Sequence, residues 1–206
     1  MPYYARLMRR EDVAQVTEID REAFPSLWPP ANYKKELQNK LVHYIVACDE
    51  ERLAEEPVEK GLTGLVARVR RFLNHNYFPG IESSPSDRQY ITGFAGFWLI
   101  AGEAHITNIA VREIYHRRGV GELLLISMLD LATELNAHMM TLEVRASNTT
   151  AQSLYYKYGF NEVELRHGYY RDNKEDAVLM SIENIASALF QTQFQQLKQA
   201  HSRRWQ

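Results

Sequence analysis

Cysteine is nearly absent from this chain, since Cys48 is the single one among 206 residues. One cysteine excludes a disulfide within the chain and is typical of a protein from a reducing compartment. Cys48 lies in the apolar run HYIVAC. We therefore expect a buried and unreactive thiol rather than a nucleophile.

Long hydrophobic runs are also missing. No apolar run approaches the roughly 20 residues that a membrane-spanning helix needs, and no apolar segment of the signal-peptide type follows the first methionine. We expect a cytoplasmic protein that has no membrane partner.

Charge of one sign is not in excess. The 24 lysine and arginine residues nearly balance the 26 aspartate and glutamate residues, and the formal net charge is -2. Nothing in this balance favours nucleic acid as a partner. The seven histidines form no H-x-x-x-H or His/Cys pair, so we predict no metal site.

The chain does contain a strand-like run that ends in two glycines and opens a long apolar helix, from Ala104 to Gly121 (AHITNIAVREIYHRRGVG). A helix start presents free N–H groups and the positive end of the helix dipole, and glycine lets an anion approach the backbone closely. The pattern predicts a pyrophosphate cradle at Arg117, Arg118, Gly119, Val120 and Gly121. The alternative is a strand, a turn and a surface helix with a basic start.

A second motif, MTLEVRASNTTAQSLYYKYGF at Met140 to Phe160, follows RRGVGELLL, and a third, GYYRDNKEDAVLM, follows at Gly168 to Met180. In this order and spacing they closely resemble the GNAT acetyltransferases, and more narrowly the RimI-type N-terminal acetyltransferases. The resemblance is loose over 3–48 and close over 90–182. It implies an α/β (mixed α+β) fold with a central, mixed, mostly antiparallel sheet flanked by helices, in one domain over 1–183.

The resemblance also implies acetyl-CoA as co-substrate and assigns a set of residues to it. His116 stands where the family has Gln or Arg, but that position usually contributes a backbone N–H, so the change should cost little. Asn148 is expected to cap a helix as well as to bond the cofactor. The strand backbone would bind the pantetheine arm and the oxyanion. The expected cofactor residues are Ile109, Ala110, Val111, His116, Arg117, Arg118, Gly119, Val120, Gly121, Asn148 and Tyr155.

Acetyl transfer to an amine needs a deprotonated nucleophile and a proton for the departing thiolate. By resemblance Glu143 is the general base and Tyr155 the proton donor. Glu143 could instead be a structural carboxylate paired with Arg145 or Arg118. Because glutamate titrates near 4.3, we expect partial burial to raise the pKa of Glu143 toward the working pH.

The resemblance implies a protein N-terminus as the acceptor, such as a ribosomal protein beginning with alanine, acetylated by direct attack in a ternary complex. The residues expected to line the acceptor-peptide site are Phe24, Leu27, Trp28, Asn108, Tyr169 and Tyr170. The aromatic ones could equally be packing residues. Two other functions remain open: acetylation of a lysine or a small-molecule amine, and an acyl-CoA-binding regulator without turnover. Retention of both Glu143 and Tyr155 argues against the regulator.

Two segments extend beyond small members of the family. An insertion at about 49–89 contains an amphipathic helix that could pack on its own domain, cover the substrate groove or form a dimer contact. A tail at 184–206 predicts a helix with Ile185, Leu189, Phe194 and Leu197 docked on the domain or on a second subunit, and a solvated basic end. A monomer and a homodimer both remain open.

Overall fold

The computed structural model describes residues 2–25, 31–54 and 89–204. Seven strands form one sheet: β1 (Tyr3–Leu7), β2 (Val42–Leu53), β3 (Gln89–Ile100), β4 (Glu103–Val111), β5 (Met139–Arg145), β6 (Asn161–Tyr170) and β7 (Glu175–Glu183). The helices are α1 (Val13–Ala23), α2 (Tyr33–Glu36), α3 (Val120–Glu134), α4 (Thr149–Lys157) and α5 (Ala188–Arg203). The predicted amphipathic helix of the insertion lies outside the described residues.

The strand order in the sheet is β1-β2-β3-β4-β5-β7-β6. All neighbouring pairs are antiparallel except β4 and β5, which are parallel. A turn with positive φ at Ala101 and Gly102 joins β3 to β4, whereas helix α3 carries the chain back between β4 and β5. A helical crossover of this kind is what a parallel pair requires. The predicted mixed, mostly antiparallel sheet is confirmed.

The two faces of the sheet are covered by different helices. Helix α3 buries Leu124, Leu125 and Met128 against one face. On the other face α1 and α2 bury Val16, Ile19 and Tyr33. In β2, Ile45 belongs to the α3 layer and the adjacent Val46 to the other, as the two-residue period of a strand requires.

Strands β4 and β5 separate toward their carboxyl ends. Their ladder ends at the pair Ile106 and Leu142, although β4 stays paired with β3 as far as Val111. A β-bulge at Thr107 accompanies this separation, because Gly96 pairs with Asn108 and the next residue of β3 pairs with Ile106. The bulge bends β4, and the backbone after Ile106 is left without a partner on β5.

The tail forms a helix docked on its own domain. Phe194 is fully buried, and Lys198 pairs with Asp130 of α3 at 2.8 Å. Two details of the expectation are wrong. Leu189, expected on the apolar face, is 73% exposed, and within the end expected to be solvated His201 is only 2% exposed, although Arg203 and Arg204 are exposed as expected. The helix continues to Arg203, so its last turn packs on the domain.

Candidate active site

A cavity of about 650 Å³ lies between the carboxyl end of β4 and the first turns of α3 and α4. Both helices direct their N-terminal ends toward it, and this arrangement suits a negatively charged ligand. Its lining comprises Ile109, Val111, Tyr115, His116, Arg117, Gly119, Val120, Gly121, Glu122, Asn148, Thr150, Ala151, Leu154, Tyr155 and Arg204.

The start of α3 needs its two glycines, Gly119 and Gly121. Gly119 is the N-cap of α3 and has φ +74°, a conformation that costs other residues strain. A Cβ placed on Gly121 would meet only the Val111 side chain, at 3.8 Å, and would therefore extend into the open space of the cavity. Gly119 thus shapes the loop that leads into α3, and Gly121 leaves the first turn of the helix without a side chain on the cavity side.

The basic residues of this loop lie in different places. Arg117 lines the cavity, whereas Arg118 lies over the Tyr115 ring, with its guanidinium carbon 5.3 Å from the ring centroid. His116 lines the cavity too, and its Nε2 donates to the carbonyl oxygen of Val111 at 2.8 Å. Of the residues expected at the cofactor, Arg118 and Ala110 do not line the cavity. Ala110 is buried in the core beneath α1.

Helix α4 supplies two of the expected residues. Asn148 caps the helix, since its side-chain oxygen accepts a hydrogen bond from the backbone N–H of Ala151 at 3.1 Å. Two turns later Tyr155 faces the cavity and is only 8% exposed. Burial, together with the neighbouring Tyr170 phenol, raises the pKa of Tyr155. Its hydroxyl therefore keeps its proton throughout the neutral range.

Glu143 projects from β5 toward the sheet face that carries α1 and α2. Its side chain is 9% exposed and contacts two bases: Oε2 lies 3.1 Å from Nε2 of His105, and Oε1 pairs with Nη1 of Arg166. The hydrogen bond from His105 lowers the pKa of Glu143 despite burial, and the charges of His105 and Arg166 act in the same direction. The expectation of a raised pKa is therefore wrong.

The expected alternative partners of Glu143 are used elsewhere. Arg145 forms ion pairs with Asp172 at 2.7 Å and Glu175 at 3.0 Å. The charge partners of Glu143 come from two other strands: His105 of the adjacent β4 pairs with Thr141, and Arg166 of β6, one strand beyond β7, is in register with Ala177.

Tyr170 connects the Glu143 face to the cavity. Its hydroxyl lies 3.5 Å from the backbone oxygen of Glu143 and acts electrostatically on Tyr155. Burial raises the pKa of Tyr170 to about 12. Tyr169 packs edge-on against Tyr170, with ring centroids 5.3 Å apart. Glu143 directly follows Leu142, the last β5 residue paired with β4, and does not line the cavity, whereas Tyr155 lines it together with Ile109 and Val111 of β4.

Other expected acceptor residues lie on the Glu143 face or outside the described part. Asn108 is beside Gly96, where an added Cβ would strike both the Asn108 side chain and the Tyr44 ring. Phe24 packs, half-buried, against the core under α1, so the packing alternative describes its observed contacts. Leu27 and Trp28 lie outside the described residues.

Sequence reasoning missed several residues that border these sites. Tyr115, Glu122, Thr150, Ala151, Leu154 and Arg204 line the cavity, and His105 and Arg166 contact Glu143. The spacing from the glycines could have indicated Glu122, which lies one residue further into α3. Arg204 follows 82 residues later in the chain. No local pattern could have indicated it.

Membrane-spanning helices and metal-binding groups are both absent from the described ranges. No helix there is long and apolar enough to cross a membrane. Within the same ranges, no three His, Cys, Asp or Glu side chains form a group that could hold a metal ion.

Comparison with known proteins agrees with this geometry. A model of the acetyltransferase (GNAT) family matches residues 70–160. A Bacillus subtilis (strain 168) protein, provisionally named ribosomal protein bS18-alanine N-acetyltransferase, is 32% identical over 176 residues, which cover 85% of this chain and 91% of that protein. An N-alpha-acetyltransferase of Sulfurisphaera tokodaii is 31% identical over 87% of this chain and 92% of that protein.

The fold is shared with a solved enzyme. The crystal structure of the ribosomal-protein-S18-alanine N-acetyltransferase from Escherichia coli superposes with a TM-score of 0.60 at 22% identity, covering 88% of this chain and 94% of that one. The sheet with its separated β4 and β5, the cavity at two helix starts and the full-length relatives lead to one conclusion. The chain belongs to the GNAT family and is an acetyl-CoA-dependent N-acetyltransferase.

Proposed function

We propose that this enzyme acetylates the N-terminal α-amine of a protein, by direct attack of the amine in a ternary complex. One observation carries the proposal most strongly. A carboxylate on one face of the sheet, Glu143, and a buried phenol on the other, Tyr155, both border the gap where β4 and β5 separate. A base for the amine and a proton for the leaving thiolate are therefore available on opposite sides of one opening.

The cavity fits acetyl-CoA. It is long enough to be shared by two helix N-termini, and Gly121 leaves room for a ligand at the backbone of the first turn of α3. In the proposed complex Gly119, Val120 and Gly121 hold the pyrophosphate with Arg117 beside them. The β4 edge from Asn108 to Val111, which has no partner on β5, holds the pantetheine arm. Acetyl-CoA supplies the activated acetyl group as a thioester.

Glu143 is proposed to take up the proton of the amine, through a water molecule. Its lowered pKa means that it is ionised at every working pH, and His105 and Arg166 hold it in place. A carboxylate of this kind is a weak base, so it suits an acceptor that is easily deprotonated. An α-amine has a pKa near 7.7 to 8.0 and lysine near 10.4, so deprotonating lysine costs roughly 3 to 4 kcal/mol more.

Tyr155 is proposed to protonate the leaving thiolate. Burial raises its pKa, so the phenol keeps its proton before the reaction. A free thiol has a pKa near 8.5, below that of the phenol, so the transfer requires that the same desolvation raise the pKa of the thiol as the thiolate forms beside Tyr155. Tyr170, hydrogen bonded to the Glu143 backbone, would form the wall between donor and acceptor.

The proposed acceptor is a protein N-terminus beginning with alanine, on a ribosomal protein. Two relatives named for this acceptor support the proposal, one through sequence and one through its fold. Tyr169, Tyr170 and Asn108 would line the path of the peptide, whose first residue enters amine first. A ribosomal acceptor would also imply that the enzyme works in the cytoplasm.

Acceptor competition tests the proposal. The enzyme is incubated with acetyl-CoA and equimolar peptides beginning Ala, Ser, Thr, Met-Leu and Met-Glu, together with spermidine and free lysine, and each product is quantified by mass spectrometry. We expect the alanine peptide to have the highest kcat/KM. Faster acetylation of spermidine or free lysine than of every peptide would reject the proposed acceptor.

A further inference from the structure

The C-terminal helix α5 reaches the cofactor cavity. Helix α5 runs antiparallel to α3. Gln191, near the start of α5, contacts Thr133 near the end of α3, and Arg204, directly after α5, contacts Glu122 in the first turn of α3. Arg204 lines the cavity together with the glycine loop. A segment that follows the last strand of the sheet therefore contributes a cation to the cofactor side.

This end of α5 is fixed by buried contacts. His201 is almost fully buried, and its Nε2 donates to the carbonyl oxygen of Gly119 at 3.1 Å. Gly119 is the N-cap of α3, so the tail is bonded directly to the loop whose N–H groups face the cavity. The position of Arg204, three residues further on, follows from this anchor.

The local charges leave a positive excess. The buried carboxylate of Glu122 pairs with Lys157 through Oε1 and with Nη1 of Arg204 through Oε2 at 3.0 Å. Two cations therefore share one anion at the cavity edge. Only Nη1 of Arg204 is used by Glu122, and a guanidinium has five N–H donors in a planar fork that suits phosphate oxygens. Glu122 thus orients Arg204 without exhausting its donors.

We propose that Arg204, delivered by helix α5, binds a phosphate group of acetyl-CoA and makes the C-terminal helix part of the cofactor site. The ligand must place a phosphate oxygen beside the first turn of α3, where it accepts a charge-assisted hydrogen bond from Arg204. Both the pyrophosphate and the 3′-phosphate of CoA contain such oxygens. The adjoining Arg203 does not line the cavity and is exposed, so it provides a matched control of equal charge.

Calorimetric titration of the full-length enzyme with CoA tests the proposal. Arg204→Ala should weaken CoA binding about tenfold, the change expected for losing one charge-assisted hydrogen bond that is partly exposed to water. Arg203→Ala should change it less than twofold, and Arg204→Lys should fall between Arg204→Ala and the wild type. Thermal melting of each variant checks that the fold is retained.

Two further ligands separate phosphate binding from a structural effect. With pantetheine, which has no phosphate, the affinities of Arg204→Ala and Arg203→Ala should be equal. The third ligand is 3′-dephospho-CoA. If Arg204→Ala still binds it about ten times more weakly than Arg203→Ala does, Arg204 contacts the pyrophosphate. If the two variants bind it equally, Arg204 contacts the 3′-phosphate. The proposal is overturned if the two variants bind CoA equally, or if Arg204→Ala weakens pantetheine as much as CoA.

Discussion

Nε2 of His105 lies 3.1 Å from Oε2 of Glu143, and this contact decides how the carboxylate behaves. Its hydrogen bond is the largest cause that lowers the pKa of Glu143, outweighing the burial that would raise it. The folded-state pKa lies below the ordinary value of 4.5. Glu143 is thus ionised throughout the neutral pH range, because each pH unit above a pKa leaves a tenfold smaller protonated fraction.

The pH profile of the enzyme should therefore report the acceptor rather than Glu143. We expect kcat/KM for an alanine peptide to rise with pH up to an apparent pKa near 8, which is the value of a free α-amine. Glu143→Gln should lower kcat by about 10²- to 10⁴-fold, the range for loss of a general base. Stopped assays from pH 5 to 10 measure both. A limb near pH 6 that vanishes in Glu143→Gln would show instead that Glu143 titrates there.

Removing His105 should raise the pKa of Glu143. In His105→Ala the hydrogen bond is lost while burial remains, so the pKa of Glu143 should rise relative to the wild type. Carbon-detected NMR of the labelled carboxylate follows this titration directly. His167→Ala is the matched control, because His167 is exposed and bonds Asp176 instead. Equal Glu143 pKa values in His105→Ala and the wild type would contradict the assigned cause.

Tyr155 and its neighbour Tyr156 provide a matched pair on helix α4. Tyr155→Phe should lower kcat by about tenfold to a hundredfold or more, with CoA affinity nearly unchanged, because only the proton donor is removed. Tyr156 is exposed and bonds Glu162, away from the cavity, so Tyr156→Phe should leave kcat within twofold. Steady-state kinetics with calorimetric CoA titration distinguishes the two. Equal kcat values in both variants would show that Tyr155 is not the proton donor.

Gly121 should show opposite effects on stability and on binding. It lies in the first turn of α3, where replacing glycine by alanine stabilises a helix by about 0.5 to 1 kcal/mol. The added methyl group would enter the cavity beside Val111 and hinder the cofactor. Gly121→Ala should therefore melt slightly higher and bind CoA more weakly. A variant that binds CoA as tightly as the wild type would show that the ligand does not approach Gly121.

Helix α5 should contribute directly to the stability of the domain. Phe194 is fully buried against Tyr158 and Phe190, so Phe194→Ala should lower the free energy of unfolding by about 3 to 5 kcal/mol. Leu189, exposed on the same helix, is the control. Leu189→Ala should change the free energy of unfolding by less than about 0.5 kcal/mol. Urea titration measures both. Similar values for the two variants would mean that α5 is not part of the cooperative unit.

Much of the fold could be predicted from local pattern and resemblance. The glycine pair at the start of α3 and the Asn148 cap each follow from residues within one short segment, whereas the mixed, mostly antiparallel sheet was expected from the resemblance. The tail was harder, because Ile185 and Phe194 indicated a packed helix but not the position of its end. The approach of His201 to Gly119 joins residues 82 positions apart, and no helical period encodes that contact.

The site was predictable in its residue types and less so in its electrostatics. The motif identified Glu143 and Tyr155 as candidates; Tyr155 lines the cavity, whereas Glu143 lies on β5 directly after the last residue paired with β4. The pKa expected for Glu143 was wrong because burial was considered without its neighbours. His105 and Arg166 come from two other strands, and only the strand pairing brings them to the carboxylate.

The central claim is that the enzyme acetylates the N-terminal α-amine, and one pair of peptides tests this most directly. Both begin with alanine and contain one internal lysine, and one of them is blocked by acetylation of its α-amine before the assay. Fragment mass spectrometry after incubation with acetyl-CoA locates the acetyl group that the enzyme adds. We predict a new acetyl group on the α-amine of the free peptide and none on the blocked one. Acetylation of the lysine in both peptides at equal rates would contradict the account.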